Sequence, residues 1–160
     1  MLKKISLVLF LILFSAQAYS AGSDSTPKKL NSDYDKAVES IKFAKKYEKK
    51  GKIEKAKKRY EKAQKFLLKS NKEKPNQADT LNYLGFTSRK LGDYENGEKY
   101  YLMGLEINPN HTGINEYLGE LYVTTNRIEL ARERLKVLEK CNCEEYTAVS
   151  YTHLTLPTKA

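Results

Sequence analysis

Apolar residues recur along much of the chain at alternating steps of three and four, which is the spacing of an amphipathic helix with one buried stripe. The stripe is clearest between Ile53 and Leu67, where Lys and Glu fill the positions between the apolar residues. Its members are Ile53, Ala56, Tyr60, Ala63 and Leu67. The pattern therefore predicts an all-α fold in which each helix buries one face.

A two-helix pattern occurs three times, with small, turn and large apolar positions in the same order in each copy. The copies span residues 37–77, 78–111 and 112–145. A small residue in the first helix and a large one in the second predict close helix approach at three pairs: Ala44 with Tyr60, Gly85 with Tyr101, and Gly119 with Leu135. Because the first copy is seven residues longer than the second, we expect its second helix to gain about two turns.

Turn and capping residues mark the expected helix ends in the middle copy. Gly92 supplies the turn, and the carboxylate of Asp93 caps the next helix by accepting free N–H groups of its first turn. Pro109 ends that helix. Gly97 and Gly104 each cost about 1 kcal/mol of helix propensity relative to Ala, so we expect close packing or backbone contact at both.

These positions resemble the tetratricopeptide repeat over the full length of the middle copy. The residues that carry the resemblance there are Leu81, Leu84, Gly85, Gly92, Asp93, Tyr94, Gly97, Tyr101, Gly104 and Pro109. The third copy departs from the family at Asn126 in the turn and at Cys143, where the family usually has Pro. The resemblance implies a right-handed solenoid of helical hairpins, for which three stacked copies are about the minimum.

The resemblance also implies a binding site, because partners of this family usually lie in the concave groove lined by the first helix of each repeat. The family's groove positions correspond here to Lys45, Glu48, Lys49, Asn82, Phe86, Arg89, Lys90, Glu116, Glu120 and Val123. Phe86 either anchors a peptide, with Arg89 and Lys90 beside it for carboxylates, or packs between repeats. Lys45 stands where relatives that clamp a C-terminal carboxylate have Asn, so that clamp is not supported. The expected partner is a protein or peptide.

The first twenty residues have the features of a cleaved signal peptide. Lys3 and Lys4 precede an apolar run from Leu7 to Phe14, and small residues follow at Ala16 and Ala18. A retained membrane anchor is the alternative, but the run is well short of the roughly 20 residues that span a bilayer. We therefore expect a signal peptide at 1–20, a bacterial origin, and a periplasmic or secreted protein. Residues 21–31 read as a flexible linker before a repeat domain at 32–146.

Charge divides unevenly along the chain. Residues 22–74 carry 18 Lys or Arg and 8 Asp or Glu, whereas residues 75–148 carry 8 Lys or Arg and 12 Asp or Glu. The basic first helix pair either attracts anionic lipid headgroups, acidic glycopolymers or an acidic protein, or is an ordinary solvated lysine face. Nucleic acid is not an expected partner, because the chain has no base-reading motif.

Candidate catalytic chemistry is sparse. Cys141 and Cys143 are separated by one residue, and they are the only two thiols; His111 and His153 lie far apart in the sequence, so the chain does not support a four-ligand zinc site. We interpret His111 as a solvated loop residue. No nucleophile with a matched base and no phosphate-binding Gly loop occurs, so the sequence predicts a non-enzymatic protein without metal or cofactor. Residues 147–160 resemble translated sequencing adaptor; a genuine unstructured tail is the alternative.

Overall fold

The computed structural model describes residues 32–141, and within this range it contains six α-helices and no β-strand. The helices are α1 (Asp33–Glu48), α2 (Ile53–Glu73), α3 (Ala78–Lys90), α4 (Tyr94–Ile107), α5 (Thr112–Thr124) and α6 (Ile128–Leu138). The expected all-α class is confirmed. The expected signal peptide, linker and C-terminal tail lie outside the described residues. Among the six helices, none has the length and apolar content needed to cross a bilayer.

The helices pair into three successive hairpins. α1 packs on α2, α3 on α4 and α5 on α6, and the hairpins stack because α2 contacts α3 and α4 contacts α5. The first helix of each hairpin also contacts the next, α1 with α3 and α3 with α5. The surface that α1, α3 and α5 share is called the first-helix face below.

Each hairpin turns on a residue in the left-handed backbone region. The residues are Gly51 at φ +65°, Gly92 at φ +88° and Asn126 at φ +60°. Glycine adopts this region without strain, and Asn tolerates it better than most residues. Asn126 therefore forms the third turn with the same backbone conformation that Gly51 and Gly92 have in the other two. The carboxylate of Asp93 then accepts the N–H of Asn96 at 3.2 Å, which confirms the expected cap of α4.

Close helix approach in the middle hairpin depends on its glycines. A Cβ added to Gly85 would lie 2.5 Å from Cε1 of the fully buried Tyr101 ring. Across the same interface, a Cβ on Gly97 would lie 3.3 Å from the carbonyl oxygen of Gly85. Gly104 serves the next interface, because its Cβ would collide with Ile114 on α5. The three expected close contacts of α4 are therefore present.

The first hairpin is longer than the other two. α2 has 21 residues and α4 has 14, which confirms the expected two extra turns. The buried stripe continues through Ala56, Tyr60, Ala63 and Leu67, and the residues of α2 beyond Leu67 are exposed or only partly buried. α1 also starts before residue 37, where the first repeat was expected to begin. A capping box marks its start: the Ser32 hydroxyl accepts the N–H of Asp35, and the Asp35 carboxylate accepts the N–H of Ser32.

The interpretation of His111 as a solvated loop residue is wrong. Its Nδ1 accepts the N–H of Ile114 at 3.2 Å and so caps α5, while its Nε2 lies 3.0 Å from Oδ1 of Asp79 at the start of α3. Because Nδ1 accepts a hydrogen bond, Nε2 carries the ring proton and donates to Asp79. His111 thus ties the beginnings of two first helices together.

We expect Gly85→Ala to lower the free energy of unfolding by about 1–3 kcal/mol, because the methyl group collides with the Tyr101 ring. Gly97→Ala is the comparison, since it gains the same roughly 1 kcal/mol of helix propensity, while its Cβ would lie 3.3 Å from the Gly85 carbonyl oxygen and should therefore cost less than the contact at Gly85. Urea denaturation measures both variants. Equal stability of the two would contradict the role of Tyr101.

We expect His111→Ala to cost about 1 kcal/mol of stability and to speed amide hydrogen exchange at the start of α5, because the cap is lost. His111→Asn should retain most of the protection, since Asn is a good N-cap residue but is too short to reach Asp79 in the same way. Equal losses in both variants would show that the contact with Asp79, and not the cap, is what matters.

Candidate functional site

The residues expected to form the groove lie on three neighbouring helices of the first-helix face. Lys45 is exposed on α1, and Lys49 is exposed at its C-terminal end. α3 carries Asn82, Phe86, Arg89 and Lys90, and α5 carries Glu116, Glu120 and Val123. The structure thus places the set on one face but distributes its members between buried, paired and exposed positions.

Phe86 is not an exposed anchor, because only 4% of its surface is accessible. Its ring centroid lies 5.7 Å from that of Tyr60 in an edge arrangement and 4.9 Å from that of Tyr117. Tyr60 belongs to the first hairpin and Tyr117 to the third, so Phe86 joins the hairpins before and after its own. Of the two alternatives for Phe86, the structure shows packing between repeats.

Asn82 is also buried, with 7% of its surface accessible, which corrects its expected place on the groove wall. Its amide occupies the space beside Gly113, where an added Cβ would lie 2.9 Å from Asn82 Nδ2. The missing side chain of Gly113 therefore lets α5 approach α3 closely enough to cover Asn82.

Arg89 and Lys90 are already paired within the chain. Arg89 forms a salt bridge with Glu120 on α5, and Lys90 Nζ lies 2.8 Å from Oε1 of Glu48 on α1. Burial acts to lower the pKa of Arg89, but the neighbouring Tyr101 and Glu120 outweigh it and raise that pKa, so the guanidinium remains charged. Both cations thus face intramolecular carboxylates.

Glu48 has a second partner, because the hydroxyl of Tyr60 donates a hydrogen bond of 2.8 Å to its Oε2. Burial and this carboxylate raise the pKa of Tyr60, so the hydroxyl remains protonated and continues to donate. The carboxylate of Glu48 is therefore held by α2 and α3 together.

Lys45 reaches across the face from the first hairpin to the third. Its Nζ donates to the Tyr117 hydroxyl at 3.3 Å and lies 4.8 Å from the Phe86 ring centroid and 5.5 Å from that of Tyr117. The ammonium group is attracted by the electron-rich faces of both rings. We call Lys45, Phe86, Arg89, Tyr117 and Glu120 the central cluster.

A depression of about 400 Å³ lies beside the central cluster on α1 and is called the α1 depression. Its lining residues are Val38, Ile41, Lys42, Lys45, Lys46, Lys49 and Tyr83. Ile41 is 3% accessible and provides an apolar floor. Lys42, Lys46 and Lys49 are exposed, and none of them forms an ion pair with another residue in 32–141.

Sequence reasoning missed several residues of this face, of which Tyr83 and Tyr117 are the most informative. They lie 34 residues apart, which is one repeat length, so they occupy the same position in successive first helices. Comparison of equivalent positions would have identified them as a recurring aromatic pair. The apolar residues Val38 and Ile41 gave no such signal.

No group of three or more potential metal ligands occurs within the part of the chain from 32 to 141. Cys141 packs against the core of the last hairpin, whereas Cys143 lies outside the described residues. The first-helix face itself carries aromatic rings, cations and carboxylates, most of which contact one another.

Comparison with known proteins gives a partial match to one family. The tetratricopeptide repeat model matches residues 44–77 and 78–111, which include most of the first two hairpins. No curated protein matches the chain. One similar solved structure is the first TPR of Spaghetti (RPAP3) bound to the HSP90 peptide SRMEEVD. It is 20% identical with a TM-score of 0.48, and the match covers 78% of this chain and 98% of that chain.

We expect Glu120→Gln to lower the free energy of unfolding by about 2 kcal/mol, because it leaves the largely buried Arg89 guanidinium without its carboxylate. Glu129→Gln is the control, since its contact with Arg132 is long, at 3.6 Å, and the Glu129 side chain is highly exposed. Thermal and urea unfolding of the two variants should therefore differ. Unchanged stability of Glu120→Gln would show that the Arg89 pair contributes little.

Proposed function

We propose that this tetratricopeptide-type repeat protein is a non-enzymatic scaffold that binds a segment of a partner protein along its first-helix face. The observation that carries the proposal is the α1 depression, where an apolar floor and exposed cations lie together between α1 and Tyr83 of α3. Apolar side chains supply affinity when they are covered, and polar groups at the rim supply orientation.

The dimensions of the face fit an extended peptide. Packed helices lie about 8–10 Å apart, so a segment that crosses from α1 to α5 covers about 18 Å. An extended chain advances about 3.3 Å per residue, so about six residues span the three helices. A short linear segment is therefore sufficient to contact all three hairpins.

We place this binding outside the cytoplasm, in the periplasm or after secretion. The support is the N-terminal sequence, in which Lys3 and Lys4 precede an apolar run and small residues follow it. A natural partner would then be a protein of the cell envelope or its surroundings.

A second candidate function is electrostatic binding of an anionic envelope surface, and one observation favours it. α2 carries a set of exposed lysines, namely Lys55, Lys57, Lys58, Lys62, Lys65, Lys69 and Lys72. These cations would attract anionic lipid headgroups or acidic glycopolymers, with an affinity that falls as added salt shortens the screening length.

The two candidates differ in which lysines they require. A photo-reactive amino acid at position 49 should form an adduct with a partner protein in envelope extracts, whereas the same group at position 58 on α2 should not. The double variant Lys45→Ala with Lys49→Ala should lose partner capture by about tenfold, because it removes two of the cations that line the α1 depression. Lys57→Ala with Lys58→Ala is the matched control and should retain capture.

The opposite pattern would support the second candidate. Loss of binding in the α2 variant, together with salt-sensitive binding to vesicles that contain anionic lipid, would assign the function to the α2 lysines. Full capture by the Lys45 and Lys49 double variant would rule out the first-helix face as the binding surface.

A further inference from the structure

The turn between α1 and α2 carries a surface of a different kind from the first-helix face. Its exposed residues include Lys50, Lys52, Ile53 and Lys57, which are called the turn patch below. We infer that the turn patch docks on an anionic lipid bilayer, with the Ile53 side chain inserted among the headgroups. This contact is separate from the proposed binding of a partner protein, because no residue of the turn patch lines the α1 depression or belongs to the central cluster.

Ile53 is the most exposed large apolar side chain within residues 32–141, with 61% of its surface accessible. It is the first residue of α2, directly after the turn, so it lies at the end of the hairpin. Together with Lys57 it lines a cleft that also includes the buried Ala56. An isoleucine exposed to this extent is stabilised by any apolar contact that covers it.

The three lysines of the turn patch are exposed, and none of them forms an ion pair with another residue of 32–141. The acid before the turn, Glu48, is held by its salt bridge with Lys90. The acid after the turn, Glu54, is exposed and offsets one of the three positive charges. The turn patch therefore combines a net positive charge with an exposed apolar side chain.

The other two hairpin turns differ from the first in this respect. When the left-handed residues of the three turns are aligned in the sequence, Lys52 corresponds to Asp93 and Arg127. Asp93 is acidic and caps α4, and Arg127 is paired with Glu98. Among the three turns in the described part of the chain, the first is therefore the one that can attract an anionic surface.

The backbone of this turn is suited to the membrane interface, because its N–H groups are already used. Those of Lys50 and Lys52 donate to the carbonyl oxygen of Tyr47. That of Gly51 donates to the carbonyl oxygen of Glu48. Unpaired backbone groups are costly where water is depleted, so these bonds lower the cost of bringing the turn among lipid headgroups.

An anionic bilayer matches both properties of the turn patch. Its phosphate groups attract the lysines, each of which typically strengthens binding to an anionic surface by about fivefold. The hydrocarbon beneath the headgroups accepts the side chain of Ile53. An acidic polysaccharide would neutralise the lysines but would leave Ile53 in contact with water. A bilayer also reaches a side chain at the end of a hairpin without needing a matching cavity.

Docking through the turn patch leaves the first-helix face open. The middle turn carries the exposed acids Asp93 and Glu95, which an anionic surface repels, so the bilayer meets the first hairpin at its end. The second candidate function instead lays the lysines of α2 along the surface. A chain docked by its first turn can hold a partner segment on the first-helix face while it rests on a membrane.

Insertion of the turn can be measured directly in the full chain, because the sequence has no Trp and Ile53→Trp supplies a single fluorescent reporter. Vesicles of phosphatidylglycerol mixed with phosphatidylcholine should shift its emission to shorter wavelengths, and brominated lipids should quench it. Phosphatidylcholine alone should cause a smaller shift. Leu68→Trp is the matched control and should show neither change, since Leu68 is also exposed on α2 and lies between Lys65 and Lys69.

The role of charge is tested in the Ile53→Trp background by the lipid concentration that gives half of the emission shift. Lys50→Gln with Lys52→Gln should raise this concentration by roughly tenfold or more. Lys65→Gln with Lys69→Gln removes the same charge from α2 and should raise it by no more than about threefold. These lysines lie about 18 Å or more from Ile53 along the helix, beyond the screening length of about 8–10 Å.

Three results would overturn the inference. Unchanged Ile53→Trp emission with the anionic vesicles would exclude insertion of the turn. Equal shifts at positions 53 and 68 would place α2 along the surface, as the second candidate function requires. The same shift with soluble polyglutamate would identify an acidic polypeptide as the ligand in place of lipid. Crosslinking of a partner at position 49 does not depend on any of these results, so the proposed function and the membrane contact can fail separately.

Discussion

The structure depends on close approach between the two helices of each hairpin, seen most clearly where the Tyr101 ring covers Gly85. A ring can lie this close to a helix only where no side chain stands between them, and a Cβ on Gly85 would occupy that space. This contact sets how α4 lies on α3. The remaining sides of α3 then face α2 and α5. On those sides, Phe86 contacts Tyr60 and Tyr117, and Arg89 contacts Glu120.

Features that arise within one repeat could be predicted from the sequence. The pairing of Gly85 with Tyr101, the Asp93 cap and the extra turns of α2 all follow from spacing along a single hairpin, because helical periodicity and turn chemistry are local. The same local rules identified the all-α class.

Features that arise between repeats could not be predicted in this way. Phe86 is buried by Tyr60 and Tyr117 and Asn82 by the approach of α5, while His111, which caps α5 of the third hairpin, is held by Asp79 on α3 of the second. Each of these partners lies in a neighbouring hairpin, and the hydrophobic pattern near one residue does not predict which residue of another hairpin it will contact. The groove positions therefore lie on the expected helices, but Asn82 is buried where an exposed wall residue was expected, and the sequence could not decide between the two alternatives for Phe86.

The extra length of α2 limits which insertions and deletions its coding sequence can accept while the helix still buries the same side chains. An α-helix turns about 100° per residue, so seven added residues rotate everything beyond them by only about 20° from two full turns. Five added residues would rotate the stripe by about 140° and expose Leu67. Insertions and deletions in this helix are thus tolerated only in lengths close to whole turns, so reading frames that vary here should differ by about three, four or seven codons.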